Sequence, residues 1–94
     1  MVYISGPCKG YPLCNYPAFD IAKKRLKALG FKVISPADIG RRIGDSLYEV
    51  YLREDLKGLL KCDTIYFLKG WEKSFGANIE RLVAKALKFK ELYE

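Results

Sequence analysis

Histidine is absent from this chain of 94 residues, and cysteine, methionine and tryptophan are scarce, at three, one and one. Without histidine there is no Ser–His or Cys–His nucleophile pair, and the commonest metal ligand is missing. The three cysteines, Cys8, Cys14 and Cys62, are odd in number and hold no Cys-x-x-Cys pair, so no zinc site is expected. Cys8 reads as a free, small hydrophobe, with a reactive thiol as the other reading. Any general acid or base must therefore be Asp, Glu, Lys or Tyr, and neither a metal nor a redox cofactor is expected. No apolar run approaches the roughly 18 residues of a membrane span. The opening Met1-Val2-Tyr3-Ile4 reads straight into structure rather than as a signal peptide, which points to a cytoplasmic protein.

What is present is a half-apolar chain with a formal charge of +6, enough for one globular domain over residues 1–94. Its basic residues spread over the outer faces of two expected helices, as Lys23, Lys24, Arg25 and Lys27, then Arg81, Lys85, Lys88 and Lys90. That spread reads as a solvated surface. Clustered arginine with interleaved aromatics on one face is missing, so nucleic acid is not the expected partner. The positive field would still draw in a phosphorylated small molecule.

Along the chain, Val2–Ser5 reads as a strand closed by Gly6-Pro7, followed by a turn-rich loop to Tyr16. A helix is expected from Pro17 to Leu29, with Phe19, Ala22, Leu26 and Leu29 at helical spacing and Gly30 as its C-terminal cap. Phe31–Ile34 is a second strand ended by Ser35-Pro36, and Ala37–Ser46 reads as a surface loop. Leu47–Leu60 is a second helix with Tyr48, Leu52, Leu56, Leu59 and Leu60 inward, and Thr64–Leu68 a central strand. Ser74–Lys88 is a third helix, and Glu91-Leu92-Tyr93 a short edge strand. Strands alternating with helices predict a small α/β three-layer sandwich, Rossmann- or flavodoxin-like, with a parallel sheet of three or four strands.

One carboxylate breaks this pattern. Glu80 shares a helical stripe with Gly76, Val83 and Leu87, which is otherwise apolar. A carboxylate on a sheet-facing stripe is costly unless it is paired or hydrogen-bonded, and such groups concentrate at functional sites. Asp55 also borders an apolar stripe, made by Tyr48, Leu52 and Leu59; a salt bridge to a neighbouring Lys or Arg is the other reading. Asp63, just before the third strand, is a candidate ligand contact or a turn-bonding residue. Ser74 and Gly76 open the third helix, where an N-cap serine also makes a phosphate or hydroxyl cradle. Ser5, Gly6 and Pro7 would supply further contacts at the same sheet edge. Trp71, Tyr11 and Tyr16 are loop aromatics that can stack on a base or simply pack. Two carboxylates converging on a sugar carbon are the means of glycosidic bond cleavage.

The segments Tyr3-Ile4-Ser5-Gly6-Pro7, Arg53-Glu54-Asp55-Leu56 with Cys62-Asp63, and Ser74-x-Gly76-x-x-x-Glu80 resemble the nucleoside 2-deoxyribosyltransferase superfamily. Within it, the chain is similar to a small phage- and prophage-associated family of unknown function, and it also resembles the 2′-deoxynucleoside 5′-monophosphate N-hydrolases. The resemblance implies that Glu80 is the nucleophile attacking C1′ of the sugar. It implies that Asp55 contacts the sugar and assists the leaving base, that Ser74 binds a 5′-phosphate, and that Tyr3 orients Glu80. It also implies a homo-oligomer, because that superfamily closes its sites with a neighbouring subunit. The glycine-rich segment after the first strand of the monophosphate hydrolases is here Pro7-Cys8-Lys9-Gly10, with fewer glycines.

The expected function is thus an N-glycosidase or N-deoxyribosyltransferase-like enzyme acting on a (deoxy)nucleoside or its 5′-monophosphate. One alternative is a module that binds and sequesters a nucleotide without cleaving it. Another is a basic protein that binds nucleic acid through its lysine-rich helices.

Overall fold

The computed structural model describes residues 1–94. Its elements run β1 (Val2–Ser5), a 3₁₀ turn (Pro12–Asn15), α1 (Tyr16–Ala28), β2 (Val33–Ile34), α2 (Pro36–Ile43), α3 (Tyr48–Leu59), β3 (Thr64–Phe67), a second 3₁₀ turn (Trp71–Lys73), α4 (Phe75–Ala86) and β4 (Lys90–Tyr93). The four strands form one sheet in the order β2-β1-β3-β4, and every neighbouring pair is parallel. This is the small Rossmann/flavodoxin-like α/β fold, and its chain reverses direction across the sheet between β1 and β3. In such folds ligands bind outside the carboxyl ends of the strands at that reversal.

The strand alternation of β1 divides the core. Val2 and Ile4 face α1, packing with Phe19, Ala22 and Leu26, while Tyr3 faces the other layer with Leu59 of α3 and Ala84 of α4. Each fully buried side chain of this kind contributes about 1.5–3 kcal/mol relative to exposure. In register, Tyr3 lies between Ile34 and Ile65, and Ser5 lies opposite Phe67. Gly6 then lets the end of β1 approach the end of β3. A Cβ there would lie 2.8 Å from the Cβ of Leu68.

Several expectations are corrected. Ala37–Ser46 is not a loop: α2 occupies Pro36–Ile43, capped by Ser35, whose hydroxyl accepts from the Ala37 N–H at 3.2 Å. Pro36 in the first turn, Asp38 beside it and Arg41 and Arg42 in the last turn are all helix signals. Ser35-Pro36 ends the preceding strand and starts the helix at once, so only half of its meaning is visible from the strand side. β2 is correspondingly short, since Phe31 and Lys32 lie outside it and exposed. Leu29, Leu60 and Leu87, all expected inward, are exposed.

Cys8 is not a free thiol. It forms a disulfide with Cys14, with Cα atoms 4.4 Å apart, and only Cys62 is free, buried under β3. The disulfide closes a loop in which Leu13, Cys14 and Asn15 all take positive φ, at 53°, 53° and 59°. Non-glycine residues are held there at about 1–2 kcal/mol each. No helix is long and apolar enough to cross a membrane.

Candidate active site

Glu80 is brought to the carboxyl edge of the sheet by α4, and it is only 4% exposed. Its neighbours on the inward stripe are Ala77 and Ala84, so the buried face lies at i−3 and i+4, one position round from the expected Gly76–Val83–Leu87 line. The small alanines let α4 settle onto the sheet, which sets the carboxylate against β1. There the Tyr3 hydroxyl donates to Oε2 at 2.6 Å and the Ser5 hydroxyl donates to Oε1 at 2.7 Å. Tyr3 and Ser5 are alternate residues of one strand, so both point into the same layer. Each carboxylate oxygen thus accepts a hydroxyl proton, the geometry of an ionised carboxylate.

The electrostatics oppose that ionisation. Burial pushes the Glu80 carboxyl up to about 7, against the pull of the Tyr3 and Ser5 hydroxyls, which favour the charged form. Asp55, half-buried on α3, is pushed up to about 8, first by burial and then by the charges of Glu80 and Glu54. Tyr3 is held well above its ordinary phenol value by burial, then by Glu80 and Asp55. Both carboxyls are thus pushed toward their protonated forms, so near neutral pH the pair can hold a proton between them. A shared proton leaves one carboxylate able to attack and one carboxyl able to give a proton.

Two further tyrosines feel the charge of the pair. Tyr48 opens α3, and its hydroxyl lies 3.2 Å from where a Cβ on Gly76 would stand, so a side chain there would press on it. Its ring packs on Phe75 with centroids 6.4 Å apart, and both rings are largely exposed. Burial, then the charges of Glu80 and Asp55, raise the Tyr48 phenol. Tyr16 is raised by burial, then by Tyr51 and Asp55. Sequence reasoning placed Tyr48 in the core and missed it as a neighbour of the carboxylates. Its position two turns before Asp55 on the same helix face was the available signal.

The other expected residues fall into three groups. Ser74 caps α4, its hydroxyl accepting from the Ala77 N–H at 3.2 Å, and the first turn of α4 with Gly76 directs backbone N–H groups toward the same edge. Ser5, Gly6 and Pro7 are also at this edge, but the Ser5 hydroxyl is engaged by Glu80. Trp71 is committed to packing, with its ring 4.6 Å from Phe67 and beneath the Arg81 guanidinium at 5.4 Å. Asp63 is not brought to the site at all. It lies at the amino end of β3, exposed, and pairs with the N-terminal ammonium of Met1 at 3.1 Å. Two surface grooves, one at Asp20, Lys23 and Lys27 and one at Ile34, Arg42 and Lys57, include neither Glu80 nor Asp55.

No curated protein matches the chain. Residues 1–93 match the model of a family described as Domain of unknown function (DUF4406), and the chain belongs to that family.

Proposed function

We propose that this protein is an N-glycosidase or N-deoxyribosyltransferase acting on a (deoxy)nucleoside or its 5′-monophosphate, with Glu80 as nucleophile. The observation that carries the reading is the buried Glu80 carboxylate, oriented by two hydroxyl donors and close enough to a second carboxyl, Asp55, for its charge to raise it. An ionised Glu80 oxygen attacks C1′ as the C1′–N bond breaks, and Asp55 gives its proton to the departing base. Water, or a second base in a transfer reaction, then attacks C1′ and gives its proton to Asp55, while the C1′–O bond breaks and returns Glu80 to its carboxylate. Tyr3 and Ser5 hold the attacking oxygen in place. Ser74 and the N–H groups opening α4 would take a 5′-phosphate or a sugar hydroxyl. The net charge of +6 favours an anionic ligand. We further propose a cytoplasmic homo-oligomer in which a second copy walls the site, in keeping with the exposed Tyr48 and Phe75 rings at its rim.

One observation favours a second reading. Glu80 exposes almost no surface and both its oxygens already have partners, which suits a module that holds a nucleotide without cleaving it.

Chromatography of the protein incubated with nucleosides, 2′-deoxynucleosides and their 5′-monophosphates separates the two. Free base released by wild type and not by Glu80→Ala supports the glycosidase. Tight binding of intact nucleotide with no product over hours supports the binding module.

A further inference from the structure

The segment from Ser5 to Tyr16 runs from the Glu80 carboxylate to a phenol that the charge of Asp55 reaches. At its start, Ser5 donates to Glu80. At its end, Tyr16 opens α1 with the Arg41 guanidinium 5.0 Å above its ring and its hydroxyl against Gly40 of α2. Between these ends the chain is mostly outside the core: Lys9, Gly10, Tyr11, Pro12 and Leu13 are all exposed. Packing therefore does little to explain why Leu13, Cys14 and Asn15 are held together in the left-handed region. Such a run persists only where its surroundings over-determine it.

Three kinds of tie do so here. The Cys8–Cys14 disulfide closes the loop, and Asn15 Nδ2 donates to the Pro7 carbonyl at 2.9 Å. Turn bonds run from the Tyr11 N–H to the Cys8 carbonyl and from the Cys14 N–H to the Tyr11 carbonyl, at 3.1 and 3.0 Å, and from the Tyr16 N–H to the Leu13 carbonyl. The disulfide is the only covalent tie and the only one that chemistry can open without unfolding the sheet. Both of its cysteines are partly exposed, whereas Cys62 is buried, so a dithiol can reach the pair without competition from the third sulfur.

We propose that Cys8–Cys14 is a redox-responsive clasp at the mouth of the Glu80 site, opened by thiol–disulfide exchange with a vicinal dithiol reductant. One thiolate of the reductant attacks a cysteine sulfur, the S–S bond breaks, and the other cysteine leaves as a thiolate. The second thiol of the reductant then closes its own disulfide and releases both protein cysteines as thiols. The reductant loses two electrons and two protons, and the protein gains them. With the clasp open, the left-handed run relaxes and Ser5 is uncoupled from Tyr16. In a reducing compartment disulfides are characteristically transient, which suits a switch better than a structural staple. The effect on ligand rests on the function proposed above; the clasp itself does not.

The test compares oxidised wild type, dithiothreitol-reduced wild type and Cys8→Ser/Cys14→Ser in a trypsin time course followed by mass spectrometry. The Lys9–Gly10 bond lies inside the loop. Reduced wild type and the double variant are expected to be cut there at least about tenfold faster than the oxidised protein, with reoxidation restoring resistance in wild type alone. Iodoacetamide should label both loop cysteines of reduced wild type and neither in the oxidised form. Equal cleavage of the oxidised and reduced wild type, or failure of the two thiols to reoxidise, would overturn the proposal. Should the double variant not fold, the two wild-type forms still decide it. Affinity for a 2′-deoxynucleoside 5′-monophosphate is then measured on both forms. Absence of binding by either form counts against the nucleotide reading and leaves the proteolysis result standing for the clasp.

Discussion

The acids of this chain divide into two populations, those paired with a cation and those that are not. Asp63 at the amino edge, Asp20 on α1 and Glu54 on α3 are each paired with a cation, and each is held below its ordinary carboxyl range. The first cause is a hydrogen bond from the N-terminal ammonium, from Arg41 and from Lys57, respectively. Glu80 and Asp55 at the carboxyl edge are raised instead, and none of the seven ion pairs includes either. With 17 lysines and arginines in the chain, a cation was available to neutralise them. Glu80 is given hydroxyl donors in place of a cation, which keep its charge and its nucleophilicity. The outer acids are stabilised as ions, whereas burial of the inner two is costly, and the proposed function gives that cost a use.

Substitutions at the two kinds of acid should behave oppositely. Glu80→Gln should lower base release by at least about a thousandfold while circular dichroism shows a folded chain. Any remaining rate near wild type would remove the distinction drawn here. Asp55→Asn should cost about a hundredfold or more, as loss of a proton donor does. It should also abolish the alkaline fall in rate. In wild type the rate should rise as Glu80 loses its proton near 7 and fall as Asp55 loses its own near 8.

The same shift has a sign for stability. Folded Asp55 holds its proton more tightly than the unfolded chain, so its contribution is full in acid. That contribution is lost progressively as pH rises from the ordinary 3.8 through about 8. The Tm of Asp55→Asn should therefore fall less than that of wild type across this range, read by thermal melts at a series of pH values.

Tyr3→Phe sharpens the comparison from the donor side. It removes the hydroxyl that favours ionised Glu80, so the acid limb of the rate profile should move up by about one pH unit. Stability should drop by about 1.5–3 kcal/mol in denaturant titrations, the usual scale for a hydrogen bond to a charged group. Asp63→Asn should do the least: base release unchanged and Tm within about one degree of wild type. A large loss of activity there would mean that the amino edge takes part after all.

Much of this division was legible beforehand, for reasons that differ by residue. Glu80 stood out because a carboxylate on a sheet-facing stripe has no ordinary surface role, and β3 stood out as a near-continuous apolar run. The stripe was nonetheless placed one position round. Leu87 outweighed Ala77 and Ala84 in an apolar count, although small residues are what let a helix lie close to a sheet. α2 was hidden because its buried positions, Ala37, Ile39 and Gly40, are too few to make a period. Asp63 was legible as lying just before β3, but that this end is remote from the site follows only once the parallel strands bring their carboxyl ends together. The Cys8–Cys14 closure depends on three successive left-handed residues, and none of Leu13, Cys14 or Asn15 is the glycine that normally announces that conformation.

The most direct test of the central claim is peptide mass mapping of protein quenched in acid during incubation with 2′-deoxy-2′-fluoronucleosides and their 5′-monophosphates. The electron-withdrawing fluorine slows departure from an oxocarbenium-like centre, so a glycosyl ester should accumulate. The account predicts a fluorinated sugar adduct within the tryptic peptide Ser74–Arg81, located on Glu80 by fragmentation and absent from Glu80→Gln. Base released at an equal rate by wild type and Glu80→Gln, or an adduct on another residue, would contradict it.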